Sequence, residues 1–359
     1  MPPQDVGSGA AAAGDPPALQ LTRVEGCPTC GAPGSRPWLS AHDLLHGIPG
    51  TFDYRRCRRC RTVFQAPRVA DESLAECYPD EYFTHESPAD GGLPDGTPGW
   101  RAALRGHVLG SLSEAPGRSP WSAAVGRVLS AVPFVRARAT FGMMTELVPP
   151  GPAGRCLEVG PGTGADLLRL RGLGWAVVEG LDLDPEAARR AASRSGCTVH
   201  VGRLGTFSVP ERFDLIYASH SFEHLPSVYG SILALRELLA DSGRLVLVLP
   251  NAESVTTQLD RRHAVTVDAP RHLVLPPLPA LRSALASAGF AVERAGTTAR
   301  RTAHYRAVAR ARRRGVRGQD AWQEPRNVAD HVVGVVARLL CAVRLPVGEE
   351  LVVVARKAG

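Results

Sequence analysis

Three features are missing from this sequence, and each absence narrows the reading. No apolar run in the 359 residues reaches the roughly twenty needed to cross a bilayer, so no transmembrane segment is expected. The N-terminus lacks a charged-then-apolar stretch, so no secretion signal is expected either. Together these point to a cytoplasmic, reducing location, where the eight cysteines are thiols or metal ligands, not disulfides. Residues 1–20 hold almost no large apolar side chains. Rich in Ala, Gly and Pro, they cannot offset chain entropy by burial and read as a disordered, dispensable tail.

The rest of the composition is that of a globular protein. With 44% hydrophobic residues, the chain can build a sizeable core in one large domain with a small accessory. A net charge of +7 and a pI near 9.2 allow an acidic partner without requiring one.

The most informative stretch runs from Arg155 to Pro185. Cys156-Leu157-Glu158-Val159 is a short apolar run that ends in glycines, and Ala165 to Leu170 then takes up helical spacing. A second strand follows from Trp175 to Leu181. Gly160, Gly162 and Gly164 let the backbone turn sharply and approach a ligand where a Cβ would intrude. Asp182, with Leu183 beside it, falls at the carboxyl end of the second strand about twenty residues after the loop, where a carboxylate holds ribose hydroxyls. The pattern calls for a cofactor that contains a nucleoside.

Gly160-x-Gly162-x-x-Ala165 also satisfies a dinucleotide fingerprint, so the neighbourhood must decide. Glu158, two residues before the first glycine, can receive an amino group but would repel a pyrophosphate. Phe213-Asp214-Leu215-Ile216-Tyr217 and Gly243 to Pro250 follow as later strands, with His220-Ser221-Phe222-Glu223-His224-Leu225 between them. As a series, these segments resemble the class I S-adenosylmethionine-dependent methyltransferases over about residues 140–295, plus a last strand near the C-terminus. The resemblance implies an α/β fold: a Rossmann-like, seven-stranded, mostly parallel sheet with helices on both faces. It further implies that Glu158, the three glycines and Asp182 bind S-adenosylmethionine. Thr198 to Val201 would be the third strand, and Arg203 and Leu204 would fall near the adenine. Ser219 and His220 would border the reactive methyl.

A second motif lies upstream. Cys27-Pro28-Thr29-Cys30 is matched by Cys57-Arg58-Arg59-Cys60. Each CxxC turn aims two sulfurs at one point, and two such knuckles complete a tetrahedral Zn2+ site. A redox CxxC is the alternative, but the βαβ surroundings it needs are missing. His42 and His46, in the loop between the pairs, read as loop residues. A ribbon this small has little core of its own, so metal binding is expected to supply its folding energy. Four thiolates leave no open position, so its role would be structural or substrate-facing.

Methyl transfer is an in-line displacement whose sulfonium leaving group is already activated. The protein then supplies alignment, exclusion of water and removal of the acceptor's proton. His220 and His224, both beside Glu223, are the candidate bases. Their spacing resembles the ubiquinone-biosynthesis O-methyltransferases, in which a Glu-x-x-Glu-His set binds Mg2+. Here His220 replaces the first Glu, which weakens a hard-cation site and sets metal-free base chemistry beside it. The acid–histidine pair also reads as a local scaffold. His272, in Asp268-Ala269-Pro270-Arg271-His272-Leu273, either overhangs the acceptor pocket or bonds loop carbonyls together with Arg271.

The resemblance implies a hydroxyl acceptor on a small molecule or glycan of specialised or cell-envelope metabolism. Two alternatives stay open: an RNA methyltransferase that grips its substrate with the ribbon and arginines, and a non-catalytic binding protein. Against the first, the strand end reads Ala218-Ser219-His220-Ser221 instead of the Asn/Asp-Pro-Pro-aromatic motif usual for exocyclic amines.

The domain plan expected is a tail over 1–20, a zinc ribbon over 21–66, linker and cap helices over 67–150 and a methyltransferase core over 151–296. A basic helical insertion (297–347) and the last strand (348–359) complete it. In the linker, Cys77 to Phe83 forms an aromatic, acidic patch that either packs on the domain behind it or lines the acceptor pocket. Gly91 to Gly99 reads as a loop, and Trp100 to Leu112 and Trp121 to Leu147 as helical segments broken at Pro133. Leu225 to Leu239 reads as a helix that Asp241-Ser242-Gly243 ends before the fifth strand. The last strand is expected to pair antiparallel at the sheet edge. In the insertion, Arg306, Arg310, Arg313 and Arg317 would share one helix face, either solvated or docking a phosphate-bearing or carrier-bound substrate, anionic lipid or RNA. Val332 to Leu345 reads as a packed helix or a shallow membrane-surface contact.

Overall fold

The computed structural model describes residues 19–78, 120–131, 147–148 and 154–359. The tail, the Gly91–Gly99 loop, the Trp100–Leu112 helix and the aromatic patch beyond Tyr78 lie outside these residues. In the linker, helix α1 spans Pro120–Ala131.

Seven strands form the central sheet: β6 (Arg155–Val159), β7 (Val177–Asp182), β8 (Thr198–Val201), β9 (Phe213–Ser219), β10 (Leu239–Pro250), β12 (Phe290–Thr298) and β13 (Glu350–Lys357). Their order is β12-β13-β10-β9-β6-β7-β8. The pairs β10–β9, β9–β6, β6–β7 and β7–β8 are parallel. A parallel sheet is covered on both faces, so its strands are apolar throughout, and side chains alternate between two cores. Leu157, Val159, Ile216, Ala218, Leu245 and Leu247 join one cluster. Cys156, Leu215, Tyr217, Val246 and Val248 join the other. Each fully buried Leu or Val contributes about 1.5–3 kcal/mol. Helices α2 (Ala165–Gly172), α3 (Pro185–Ser195), α4 (Val228–Leu238) and α6 (Leu278–Ser287) connect the strands, and the short α5 (Val255–Asp260) follows β10.

Two boundaries differ from expectation. β13 is not the edge strand: it lies between β10 and β12, antiparallel to both, and its Leu351 and Val353 are as buried as a central strand requires. Helix α4 ends at Leu238, and Asp241-Ser242-Gly243 belongs to β10, where the pairing with β9 shifts between Leu239 and Arg244.

The ribbon is not a separate body. β2 (Ser35–Ala41), β3 (Phe52–Cys57) and β4 (Val63–Gln65) form an antiparallel sheet, which is completed by β11 (Val274–Leu275) from the large domain. Val274 pairs with Phe64 and Leu275 with Val63. Tyr54, Val63 and Phe64 are buried in the same cluster as Leu273, Val274 and Leu275. With little core of its own, the ribbon shares the core of the large domain. Outside this sheet, β1 (Leu21–Thr22) pairs with β5 (Arg68–Val69).

The insertion is three helices: α7 (Thr302–Arg313), α8 (Gly318–Trp322) and α9 (Val328–Ala342). Arg317 lies beyond α7 and does not extend its face. Helix α9 packs through small residues, Gly334 against Ala303 and the buried Ala337. Its larger apolar side chains, Val332, Val335, Val336 and Leu339, are exposed. Among the described residues no helix is long and apolar enough to cross a membrane.

Candidate functional site

The chain proceeds outward from β6 in both directions, through β7 and β8 on one side and β9 and β10 on the other. Ligands of open α/β sheets bind at such a reversal, beyond the carboxyl ends of the strands. A cavity of about 540 Å³ opens there. It is lined by Gly160, Gly162, Asp182, Leu183, Arg203, Leu204, His220 and His224, with Tyr78 of the linker. Glu158, Gly164 and Ser219 do not line it.

Glu158 is buried within β6, and its Oε2 has no hydrogen-bond partner among the described residues. Burial, reinforced by Asp166, raises its pKa well above the ordinary carboxylate range. A buried acid of this kind is satisfied by an incoming donor. At the tip of β7, Asp182 accepts a hydrogen bond from the Asp184 backbone at 3.0 Å. Burial raises its carboxyl to about 6.

The glycines divide their work differently from expectation. All three have positive φ. A Cβ on Gly160 would stand 2.5 Å from the Cβ of Ser221, whose hydroxyl donates to the Val159 carbonyl at 2.6 Å. One on Gly164 would stand 2.8 Å from the Ala191 carbonyl oxygen of α3. Thus Gly164 serves helix packing, and Gly160 lets the two loops at the reversal meet. Arg203 lines the cavity but donates to the Asp71 carbonyl at 3.3 Å, which ties the linker to the loop after β8.

His220 follows β9 with φ +53°, a left-handed backbone that non-glycine residues adopt at a cost of about 1–3 kcal/mol. Its Nε2 is 3.0 Å from Glu350 Oε1 and its Nδ1 3.6 Å from Glu223 Oε1. Burial alone would depress His220, but Glu223 and Glu350 outweigh it and hold the ring at about 9. His224 differs. Burial pushes it down to about 4; its Nδ1 lies 3.0 Å from the Arg271 carbonyl and 2.8 Å from the Tyr78 hydroxyl. His272 meets His224 edge to face, with ring centroids 4.9 Å apart. Its Nδ1 is 2.8 Å from the Thr266 carbonyl. Glu223 is fully buried at the centre of the three rings. The structure thus brings all four predicted catalytic residues together.

Arg271, completely buried, joins the ribbon to this cluster. Its guanidinium donates to both carboxylate oxygens of Asp43, at 2.8 and 3.1 Å. It also donates to both oxygens of Asp268, at 2.7 and 2.8 Å. Burial would raise Asp43, but Arg271 overrides it and holds the carboxyl below its usual range. Nearby, the Tyr54 hydroxyl donates to the His272 carbonyl at 2.9 Å and the Gln65 amide to the Pro270 carbonyl at 3.2 Å. So His272 is bonded through its ring to the loop, as one of the two expectations held, and through its backbone to the ribbon. Tyr78 lies on the cavity wall, one of the two places expected for its patch. Sequence reasoning missed the roles of Asp43 and Tyr54, whose partners lie too far along the chain for spacing to reveal them.

The four ribbon cysteines meet as predicted. Sγ of Cys27 is 3.5 Å from that of Cys60, and Sγ of Cys30 is 3.7 Å from that of Cys57. A tetrahedral zinc with Zn–S bonds of about 2.3 Å sets its ligands about 3.8 Å apart, so the residues fit the ion. His42 does not join them: its Nδ1 is 2.8 Å from the Gly50 carbonyl.

The arginines of the insertion have acidic partners from elsewhere in the chain. Arg306 and Arg313 bind Asp260, Arg310 binds Glu324 and Asp330, and Arg314 binds Glu324. Between Arg300 and Arg317 there is no acid, and Asp260, Glu324 and Asp330, which pair with four of the arginines there, lie outside that stretch.

Residues 136–295 match the model of a family described as a methyltransferase domain. No curated protein matches the chain. Among solved structures, it is similar to an S-adenosylmethionine-dependent methyltransferase from Mesorhizobium loti, at 19% identity and TM-score 0.41, over 60% of this chain and 96% of that one. A putative sarcosine dimethylglycine methyltransferase from Galdieria sulphuraria shares 15% identity at TM-score 0.42, over 72% and 98%. The N-methyltransferase NodS from Bradyrhizobium japonicum shares 16% at TM-score 0.39, over 64% and 100%. The strand order, not these likenesses, carries the fold: the large domain has a Rossmann-like α/β architecture built on a seven-stranded, mostly parallel sheet.

Proposed function

We propose that the protein transfers a methyl group from S-adenosylmethionine to a hydroxyl of a small molecule or glycan. The observation that carries this reading is the pair of carboxylates at adjacent strand tips of the reversal, Glu158 with an unpartnered buried oxygen and Asp182 on the cavity wall. Glu158 would receive the amino group of the cofactor and Asp182 its ribose hydroxyls. Leu183 and Leu204 offer apolar walls for the adenine.

The acceptor then meets the sulfonium near His220 and His224, the two cluster histidines that line the cavity. Both ring nitrogens of His220 face carboxylates, so that ring is committed to ion pairing. His224 is the group placed to receive the acceptor's proton. In this reading the ribbon carries a structural zinc on its four thiolates and, through Tyr54 and Asp43, fixes the loop that bears Arg271 and His272.

Calorimetry with S-adenosylmethionine and transfer of a labelled methyl to candidate acceptors test the assignment. Asp182→Ala should weaken cofactor binding by roughly tenfold or more, because buried hydroxyls lose their acceptor. His224→Ala should slow transfer and leave cofactor affinity nearly intact. Absence of cofactor binding by the wild-type protein would remove the enzyme reading altogether.

A further inference from the structure

We propose that Glu223, His224 and His272 form a binding site for a divalent first-row transition-metal ion at the cavity wall. The argument begins with the tautomers. A backbone carbonyl only accepts hydrogen bonds. The Arg271 carbonyl, 3.0 Å from His224 Nδ1, and the Thr266 carbonyl, 2.8 Å from His272 Nδ1, therefore place the proton of each ring on Nδ1, with the Tyr78 hydroxyl oxygen, 2.8 Å from His224 Nδ1, accepting from the same N–H. Both Nε2 atoms are left with lone pairs, and both face the same oxygen: Glu223 Oε1 lies 3.9 Å from His224 Nε2 and 3.6 Å from His272 Nε2.

Three electron-pair donors thus converge within 4.8 Å of one another. Among the described residues neither oxygen of Glu223 has a hydrogen-bond partner, although the residue is completely buried and faces His220 at 3.6 Å. Lone pairs brought together without protons between them repel, and a cation at their centre reverses the sign. Metal-bound imidazoles characteristically have the outer nitrogen held by a carbonyl or carboxylate, as both rings do here. An ion with bonds of about 2.1 Å sets neighbouring ligands about 3.0–3.4 Å apart, so both Nε2 atoms, at 3.9 and 3.6 Å from Glu223 Oε1, would draw inward on binding it.

Two imidazoles and one carboxylate suit manganese, iron, cobalt or zinc better than magnesium, which prefers oxygen. The set differs from a Glu-x-x-Glu-His arrangement because His272, from a separate loop, supplies the third ligand. His224 lines the cavity, so an ion held there would lie next to the space for the acceptor. This role rests on the methyltransferase reading; the binding itself does not. A hydroxyl bound to the ion would release its proton to solvent more readily. Its oxygen would then take the methyl carbon, and the electrons of the broken S–C bond would return to sulfur. His224 would hold the ion instead of taking the proton. The competing occupant is His220, whose Nδ1 approaches Glu223 Oε1 from the other side at 3.6 Å.

The test uses the full chain with zinc retained in the ribbon, titrated with MnCl2 while free Mn2+ is followed by electron paramagnetic resonance. The expected result is one Mn2+ bound per chain, with affinity reduced by about tenfold or more in Glu223→Gln and His272→Gln. Should those variants fail to fold, CoCl2 added to the wild type decides. Weak visible bands of nitrogen and oxygen coordination support the site; thiolate charge-transfer bands alone overturn it. No uptake of either ion beyond the ribbon, or equal uptake in both variants, also overturns it and leaves Glu223 as the counter-ion of His220. Calorimetry with S-adenosylmethionine on the same samples separates the two readings. Cofactor binding without metal uptake sinks only the metal site, and the reverse sinks only the methyltransferase assignment.

Discussion

The cysteine cluster and the histidine–glutamate cluster are assembled in opposite ways. The first is made by two short turns, each of which delivers its pair of sulfurs locally, so it is visible in the spacing alone. The second draws His220, Glu223 and His224 from the turn after β9 and His272 from a loop some fifty residues later. Only the packing of that loop on the ribbon brings the fourth residue in. A closed set of four thiolates holds an ion for structure; a set with two members on a cavity wall is available for chemistry. The ribbon is therefore more than an appendage, because it builds one wall of the second cluster.

Arg271 is the joint between the two, and removing it should have the largest effect. In Arg271→Met, Asp43 and Asp268 would remain buried with no cation between them. Breaking a buried ion pair from one side costs about 3–5 kcal/mol. Urea denaturation should show that loss, and a variant as stable as the wild type would mean that Arg271 does not hold the ribbon to the large domain. Stripping the ribbon of the zinc proposed for its four thiolates should come next. An ion at a hundred times its dissociation constant adds about 2.7 kcal/mol, and a chelator removes that contribution. Because Tyr54, Val63 and Phe64 stay buried in the shared core, the large domain should remain folded, with a lower melting temperature. Complete unfolding on chelation would instead show that the metal, and not the shared core, holds the ribbon.

The same contrast explains what the sequence disclosed. The parallel strands were legible because burial on both faces demands continuous apolar runs, and the glycine loop was legible because few other residues tolerate its φ values. The Cys pairs were legible from spacing. β11 was not: two residues, Val274 and Leu275, among prolines look like loop until Phe64 and Val63 are found beside them. Nor was the pairing of Arg271 with Asp43, which spans the chain. The acidic partners of the arginines in the insertion were hidden for a related reason, since Asp260, Glu324 and Asp330 are neighbours in space and lie outside Arg300–Arg317. Asp182 was placed correctly, but its raised pKa comes from burial that no spacing reports.

That pKa gives the third prediction, which sets the cofactor end of the cavity against the histidine end. A ribose diol is bound by the ionised carboxylate, so binding is linked to loss of the Asp182 proton. With the carboxyl at about 6 in the free protein, affinity should be nearly constant above pH 7. It should fall about tenfold for each unit below 6, since one pKa unit corresponds to about 1.4 kcal/mol. Calorimetry with S-adenosylmethionine between pH 5 and 8 would show this slope, and Asp182→Asn should flatten it. A slope that survives the substitution would move the titration to another group.

The smallest effect is expected on the insertion, where ion pairs are exposed. Arg314 binds Glu324 at 2.7 Å with half of its side chain in solvent, a setting in which a pair contributes about 0.2–1 kcal/mol. Arg314→Ala should therefore change stability by a few tenths of a kcal/mol, with the loss shrinking further as salt screens the pair. Arg306 is the internal control: it binds Asp260, whose side chain is 1% exposed, so Arg306→Ala leaves a carboxylate buried beside only Arg313 and should cost several times more. Equal losses in the two variants would mean that exposure does not decide the strength of these pairs, and the insertion would then have to be treated as one cooperative charge network.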